Sequence, residues 1–281
     1  MSTDAAMSGP VTLTLLNGQE TDCLPLSDRG LAYGDGLFET IRVVGGSAPL
    51  WSRHLQRLER GCRTLRLTLP AEQLAIDVER LARRLGEGLI KLILTRGSGK
   101  RGYAIPANAE TTRILFGSNA AVYPAEHAEQ GVRLFACETR LGHQPLLAGL
   151  KHLNRLEQVL ARSEWQSSDY AEGLMCDLTG QPIECTMSNL FVRIAGAWVT
   201  PDLSQCGVQG VMRDLLIERV QQEGGFVQVR TVGYDELLSA DEVMCCNSLF
   251  GVWPVIQLGD RHWPVGPFTR QMQSLAKQVY L

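Results

Sequence analysis

The amino-acid sequence predicts a two-domain chain of mixed α/β (α+β) class. Three observations carry that expectation. The chain has 281 residues, more than one domain of ordinary size and enough for two of roughly 100–150 residues each. Strand-like apolar runs, turn pairs and helical periods are interspersed without regular strand–helix–strand repetition. Around Val122 to Gln130 the apolar pattern fades, and Pro124 and two alanines, Ala125 and Ala128, intervene. The expected division is a loose tail over 1–10, a smaller α/β domain over 11–121, a connection over 122–130 and a larger domain over 131–281.

In the first domain, Val11 to Leu16 and a following strand flank Asn17-Gly18, a strong hairpin turn pair. Gly30, Gly34 and Gly36 interrupt regular structure before a strand from Leu37 to Val44. Leu55, Leu58, Cys62 and Leu65 mark one face of an amphipathic helix over 51–67. Leu74, Val78, Leu81 and Leu85 mark a second, which Gly86 and Gly88 stop. A strand over 89–95 runs into the basic, glycine-rich loop Arg96-Gly-Ser-Gly-Lys-Arg-Gly-Tyr103, and Thr112 to Gly117 forms another strand.

The second domain opens with a strand at Val132 to Cys137. Leu153, Leu156, Val159 and Leu160 then recur at helical spacing, which places Lys151 in the turn after Gly149, at a helix start. Thr179-Gly180 and Ala195-Gly196 are turns between strand pairs, and Gly207 to Gly210 leads into a helix ending at Gly224-Gly225. Asp241 to Ile256 reads as one apolar strand system containing Asn247-Ser248, and a last helix covers about 269–279.

Composition narrows the function classes. The 44% hydrophobic and 20% charged content is ordinary for a globular protein. A formal charge of −3 gives no electrostatic case for nucleic acid or an anionic membrane surface. No apolar run approaches the ~20 residues that span a bilayer, and Met1 to Pro10 lacks the basic and apolar regions of a signal peptide. The eight cysteines show neither a C-x-x-C pair nor ligand-like histidine spacing, so a reducing cytoplasm is expected rather than a disulfide framework or zinc site.

Individual residues suggest chemistry only modestly. Lys151 is a candidate reactive amine, because a lysine nucleophile needs a fixed position and a lowered pKa; a solvated lysine is the plain alternative. The Gly207–Gly210 loop before a helix is a candidate anion cradle, lacking the Lys-Ser/Thr of a nucleotide-triphosphate loop. Arg57 falls with Arg53 and Arg60 on what reads as a solvated basic face. Glu184 ends a short strand, where an exposed hairpin carboxylate is the plain reading and a buried one would need a partner. Arg101 and Tyr103 lie in the glycine loop, a place for binding residues or for a merely flexible surface.

The order of these features is more informative than any one of them. Tyr33-Gly-Asp-Gly-Leu-Phe-Glu-Thr40, His54-Leu-Gln-Arg-Leu58, the Arg96–Tyr103 loop, Leu150-Lys-His-Leu-Asn154, Glu184-Cys-Thr-Met-Ser-Asn-Leu-Phe191, Gly210-Val-Met-Arg213 and Asn247-Ser-Leu249 occur in that sequence. In this the chain resembles the fold-type IV pyridoxal-phosphate enzymes. These include D-amino-acid and branched-chain aminotransferases and the 4-amino-4-deoxychorismate lyases. The resemblance implies two domains with pyridoxal 5'-phosphate between them and Lys151 as the Schiff-base lysine. It implies that Glu184 faces the pyridine nitrogen. Arg57, the N–H groups of Val211 and Met212, and Ser248 would hold the phosphate, with Asn154 also at the cofactor. Phe38, Arg101, Tyr103 and Asn247 would meet substrate, and Thr40 is a second candidate proton carrier beside Lys151. It further implies a homodimer in which the Arg101 loop reaches the neighbouring active site.

Within the family, the likeness is greater to the lyases. Lys151 to Ala161 and Cys246 to Val255 resemble theirs. A Ser/Thr-rich segment of the aminotransferases is replaced here by Asn247-Ser248-Leu249. D-Amino-acid aminotransferases also have tyrosine where this chain has Phe38 and histidine where it has Tyr103. The expected reaction releases pyruvate and 4-aminobenzoate, a folate precursor. The alternatives are an aminotransferase of the same fold and a non-catalytic anion- or cofactor-binding protein.

Overall fold

The computed structural model describes residues 11–21, 23–120 and 122–280; the expected tail over 1–10 lies outside the described residues. The described residues fall into two compact units. One extends to the boundary near 121 and includes Leu150–Asn154; the other comprises Val122–Gly149 and Arg155 onward.

The first unit is built on the antiparallel order β2-β1-β5-β4-β3. Its strands are β1 (Val11–Leu16), β2 (Gln19–Glu20), β3 (Gly36–Val43), β4 (Gly88–Thr95) and β5 (Thr112–Ser118). Asn17 and Gly18, both at positive φ (49° and 82°), make the expected tight turn and set the register Leu16↔Gln19. A five-residue helix, α1 (Arg29–Tyr33), occupies the stretch read as irregular: Asp28 caps it by accepting from the Gly30 N–H, and Gly34 ends it in the left-handed region. Helices α2 (Trp51–Leu65) and α3 (Ala71–Leu85) bury Leu58, Cys62, Leu74, Val78 and Leu81 on the expected stripes, against Leu37, Ile41, Ile90, Leu92 and Leu115 of the sheet. Gly61 lets α2 close on β3, since a Cβ there would lie 2.6 Å from Leu37.

The second unit begins with a short helix, α4 (Ala125–Glu129), inside the expected 122–130 connection. Its strands are β6 (Val132–Leu141), β7 (Tyr170–Asp177), β8 (Pro182–Cys185), β9 (Asn189–Ile194), β10 (Ala197–Pro201), β11 (Val227–Arg230), β12 (Glu242–Asn247), β13 (Gly251–Leu258) and β14 (Arg261–His262). The path β11-β10-β9-β12-β13-β6-β7-β8 returns from β8 to β9 through Glu184↔Asn189, so six strands close into a ring. The expected single apolar run over 241–256 is a hairpin, β12 with β13, turning at 248–250. Helices α5 (Leu156–Ser163), α6 (Val211–Gln222), α7 (Tyr234–Leu238) and α8 (Pro267–Lys277) complete the unit.

One expectation about Lys151 is corrected. No helix starts at 149–151; α5 begins at Leu156, and residues 150–154 run extended along the outer edge of β3. By its contacts the segment groups with the N-terminal unit. The cause is backbone satisfaction: Phe38 N–H donates to Lys151 O (2.9 Å) and Leu153 N–H to Gly36 O (3.0 Å), pairing groups that a sheet edge leaves open. The helical stripe Leu156, Val159 and Leu160 does lie on α5, but it is exposed in the single chain.

Candidate active site

In the N-terminal unit the site residues follow from the two faces of β3. The bridge Leu37↔His152 sets Lys151 opposite Phe38. The Lys151 Nζ lies 4.4 Å from the centroid of the Phe38 ring, and Lys91 from β4 approaches the same ring at 5.8 Å. Thr40, two residues on, shares the Phe38 face and is half-buried. Asn154 donates from Nδ2 to Gly34 O (3.3 Å). Gly34 has no room for a side chain, because a Cβ would lie 2.4 Å from Asn154 Oδ1.

On the opposite face, Glu39 lies between Leu37 and Ile41 and is buried. It accepts from Arg57 Nε (2.8 Å), from a second Arg57 nitrogen and from His54 Nδ1 (2.6 Å). Arg57 is therefore a buried, clamped guanidinium rather than part of a solvated face. Burial by itself would raise the Glu39 carboxyl, but the charge and hydrogen bonds of Arg57 and the His54 contact outweigh it and hold it at about 2. His54 is moved the other way: burial lowers it, aided by the positive charges of Arg57 and Lys151 and opposed by Glu39. A neutral His54 donates from Nδ1 and leaves Nε2 an acceptor; that buried nitrogen has no hydrogen-bond partner. Sequence reasoning quoted Glu39 and His54 only inside motifs. Strand alternation was the available signal, since it puts a carboxylate on the apolar face where a cation must meet it.

In the C-terminal unit, Glu184 is buried on β8. Its Oε2 accepts from the Val208 N–H (2.8 Å), its Oε1 lies 3.4 Å from Gln158 Nε2, and the positive charge of Arg155 acts on it from the start of α5. Asn189, opposite Glu184, donates to Val208 O (2.8 Å), so the 207–210 loop is held from both strands. Gly210 then leads into α6 without a side-chain cap, leaving the first N–H groups, including those of Val211 and Met212, uncapped by a side chain. A Cβ at Gly210 would lie 1.9 Å from Asn189 Oδ1, so the approach requires glycine. Glu172, fully buried beside this region, accepts from Thr186 and Ser188 hydroxyls and the Met187 N–H, and so shapes the turn between Glu184 and Asn189. Arg155, Gln158 and Val208 had no legible role in the sequence.

Asn247 and Ser248 form the β12–β13 turn. Asn247 Oδ1 accepts from Leu249 and Phe250 N–H (2.9 and 3.0 Å), Nδ2 donates to Met187 O, and Ser248 O accepts from Tyr280 Oη (2.7 Å). Asn247, expected at substrate, is thus engaged in building its own turn. Arg101 and Tyr103 are exposed on the N-terminal unit, and Tyr103 packs its ring against Tyr33 at 5.4 Å. Among the described residues no cluster of three His, Cys, Asp or Glu side chains could hold a metal, and no helix is long and apolar enough to cross a membrane.

The N-terminal unit thus carries a strand-held lysine, and the C-terminal unit a buried carboxylate and a helix N-terminus uncapped by a side chain. The chain belongs to the class IV amino-transferase family, whose model matches residues 36–258. It is 40% identical to an aminodeoxychorismate lyase from Vibrio harveyi over 92% of this chain and 97% of that one. It is 52% identical to the solved 4-amino-4-deoxychorismate lyase from Pseudomonas aeruginosa, with TM-score 0.93, over 95% of this chain and 98% of that one. A hypothetical aminotransferase from Mycobacterium tuberculosis, solved in a PLP-bound form, shares the fold at TM-score 0.82 and 21% identity over 96% and 99% of the two chains. The family, the two-domain fold-type IV architecture and the greater likeness to lyases therefore agree with the sequence reading.

Proposed function

We propose that this chain is a 4-amino-4-deoxychorismate lyase that eliminates pyruvate to give 4-aminobenzoate, a precursor in folate biosynthesis, with pyridoxal phosphate as cofactor. The reading rests above all on the 52% identity to the Pseudomonas lyase over nearly the whole of both chains. The residues present suit the cofactor. The α6 N-terminus at Gly210, uncapped by a side chain, and Ser248 offer phosphate donors on the C-terminal unit, and Arg57 offers a buried guanidinium on the N-terminal one; each is of a kind that suits a phosphate dianion. Glu184, held by Val208 N–H beside the Arg155 charge, is a carboxylate of the kind that suits a protonated ring nitrogen.

When bound, pyridoxal phosphate supplies a carbonyl that captures amines and a ring that withdraws electrons from the adjoining carbon. The chain's own groups do the rest. Lys151 is fixed by backbone bonds to β3, so its amine returns to one place above the Phe38 ring. There it accepts the C4 proton of the substrate, while the C3–O bond breaks and the enolpyruvyl group departs with its electron pair. That group, protonated on carbon, is pyruvate, and the remaining ring becomes aromatic. Atoms balance without an oxidant or an amino acceptor. Thr40, on the same strand face, is the second group able to carry that proton. Arg101, a fork for carboxylate, anchors the doubly anionic substrate, and Tyr103 and Phe38 border it.

The same reading includes a homodimer in the cytoplasm. The exposed Leu156, Val159 and Leu160 stripe supports a second copy as its cover, and eight cysteines outside any disulfide suit a reducing compartment. Sedimentation should give a dimer. Purified protein given aminodeoxychorismate and no 2-oxo acid should release pyruvate. Turnover that requires an acceptor and moves an amino group would instead make it an aminotransferase.

A further inference from the structure

The loop carrying Arg101 lies over two buried arginines that the chemistry above does not use. Arg29 and Arg96 share one carboxylate: Arg29 Nε donates to Asp35 Oδ2 (3.0 Å), while Arg96 donates from Nε and Nη2 to both Asp35 oxygens (2.7 and 3.0 Å). Asp35 can neutralise only one of the two cations. Their remaining donors are met by carbonyls. Arg96 takes Leu65 O and Arg66 O, at 2.7 and 3.0 Å. Arg29 reaches into the loop itself, with Nη1 on Gly102 O at 2.8 Å and Nη2 on Tyr103 O at 3.5 Å. Its guanidinium also lies 4.8 Å from the centroid of the Tyr33 ring, whose hydroxyl accepts from the Gly102 N–H (3.1 Å).

A buried guanidinium that loses its acceptors is costly, so the two carbonyls that follow Arg101 are held by the charge beneath them. The loop tip is exposed yet anchored at Gly102 through both backbone groups, the C=O by Arg29 and the N–H by the Tyr33 hydroxyl, with the Tyr33 ring also against Tyr103. Gly99 completes the approach, because a Cβ there would lie 2.8 Å from Arg29 Cδ. An exposed glycine-rich loop needs no such foundation unless its tip must be presented in one pose.

We propose that Arg29 is a positioning residue for substrate recognition: it fixes the Gly102–Tyr103 backbone and thereby aims Arg101 at a substrate carboxylate. This rests on the assignment of Arg101 as the substrate anchor. Arg29 is buried beneath the loop and acts through the loop backbone. Its loss therefore weakens substrate binding and leaves the chemical step alone.

The test is a double-mutant cycle on the holoenzyme with Arg29→Met, Arg101→Ala and the pair, reading kcat and KM for aminodeoxychorismate separately. Arg29→Met should raise KM about tenfold with kcat within about twofold, and the pair should be no worse than Arg101→Ala alone. The cofactor's visible absorption band should be unchanged. Effects that multiply across the cycle, or a loss confined to kcat, would overturn the proposal. Should Arg29→Met fail to fold, Arg29→Lys keeps the charge beside Asp35 but cannot fork onto two carbonyls, and the same KM rise is expected. Amide hydrogen exchange over 100–105 gives a reading independent of turnover. Exchange should accelerate about tenfold in Arg29→Met, and unchanged exchange would overturn the clamp even if the wild-type protein proved not to use aminodeoxychorismate.

Discussion

Glu39 and Glu172, one in each unit, are both fully buried carboxylates, yet their surroundings drive them in opposite directions. Glu39, in the N-terminal unit, meets a guanidinium and an imidazole, and these outweigh burial to hold it at about 2. Glu172, in the C-terminal unit, meets two hydroxyls and backbone N–H groups. Those bonds do not offset burial, and its carboxyl is raised. Hydrogen bonds alone do not substitute for a counter-charge in a dry interior. The division suits the two tasks. The N-terminal unit stores a fixed cation, Arg57, where a phosphate is proposed to bind. The C-terminal unit shapes a turn between Glu184 and Asn189 with groups that add no net charge.

The largest effect on stability should come from removing the cation. Arg57→Met leaves Glu39 buried with only the His54 contact, and denaturant unfolding of the cofactor-free protein should show a loss of about 3–5 kcal/mol. Adding Glu39→Gln should restore part of that loss; if the pair is no better than Arg57→Met, the charge is not what Arg57 supplies. Next in size, Ser188→Ala should cost about 1–2 kcal/mol by the same measurement, because Glu172 keeps its other donors. An equal cost for the two single changes would erase the contrast between the carboxylates.

The pH dependence should separate them by sign. The Glu39 pKa is depressed by folding, so its contribution is fully present above the unfolded value, about 4.3, and is lost as pH falls toward about 2. The wild type should accordingly lose its advantage over Glu39→Gln across that window. The Glu172 pKa is raised, so its ionisation penalises the fold as pH rises above the unfolded value, and Glu172→Gln should gain on the wild type in that direction. The smallest effect expected is that of Asn247→Ala, about 1 kcal/mol, from losing the Asx bonds to Leu249 and Phe250.

What could be read from sequence divides along the same physical line. The turn at Asn17-Gly18 and the stripes of α2 and α3 are local, and each formed where its residues predicted. The position of Lys151 was not local. Leu153 shares helical spacing with Leu156, but its N–H is bonded to Gly36 O, and no window around residue 151 contains that partner. Arg57 misled for a related reason: on a helical wheel it joins Arg53 and Arg60, while its charge is answered from β3, 18 residues earlier. Glu184 needed the tertiary neighbours Val208 and Arg155 to become a buried anion rather than a hairpin end. The ordered motifs carried what periodicity could not, because a family resemblance encodes long-range contacts that no local pattern displays.

The chain contains four lysines, at 91, 100, 151 and 277, and two of them, Lys151 and Lys91, approach the Phe38 ring. Borohydride reduction of the protein loaded with pyridoxal phosphate, followed by peptide mapping, therefore tests the central assignment directly. The cofactor should be found on a single peptide, attached at Lys151, and Lys151→Ala should abolish both the adduct and pyruvate release. Attachment at Lys91, or pyruvate release that survives Lys151→Ala undiminished, would contradict it.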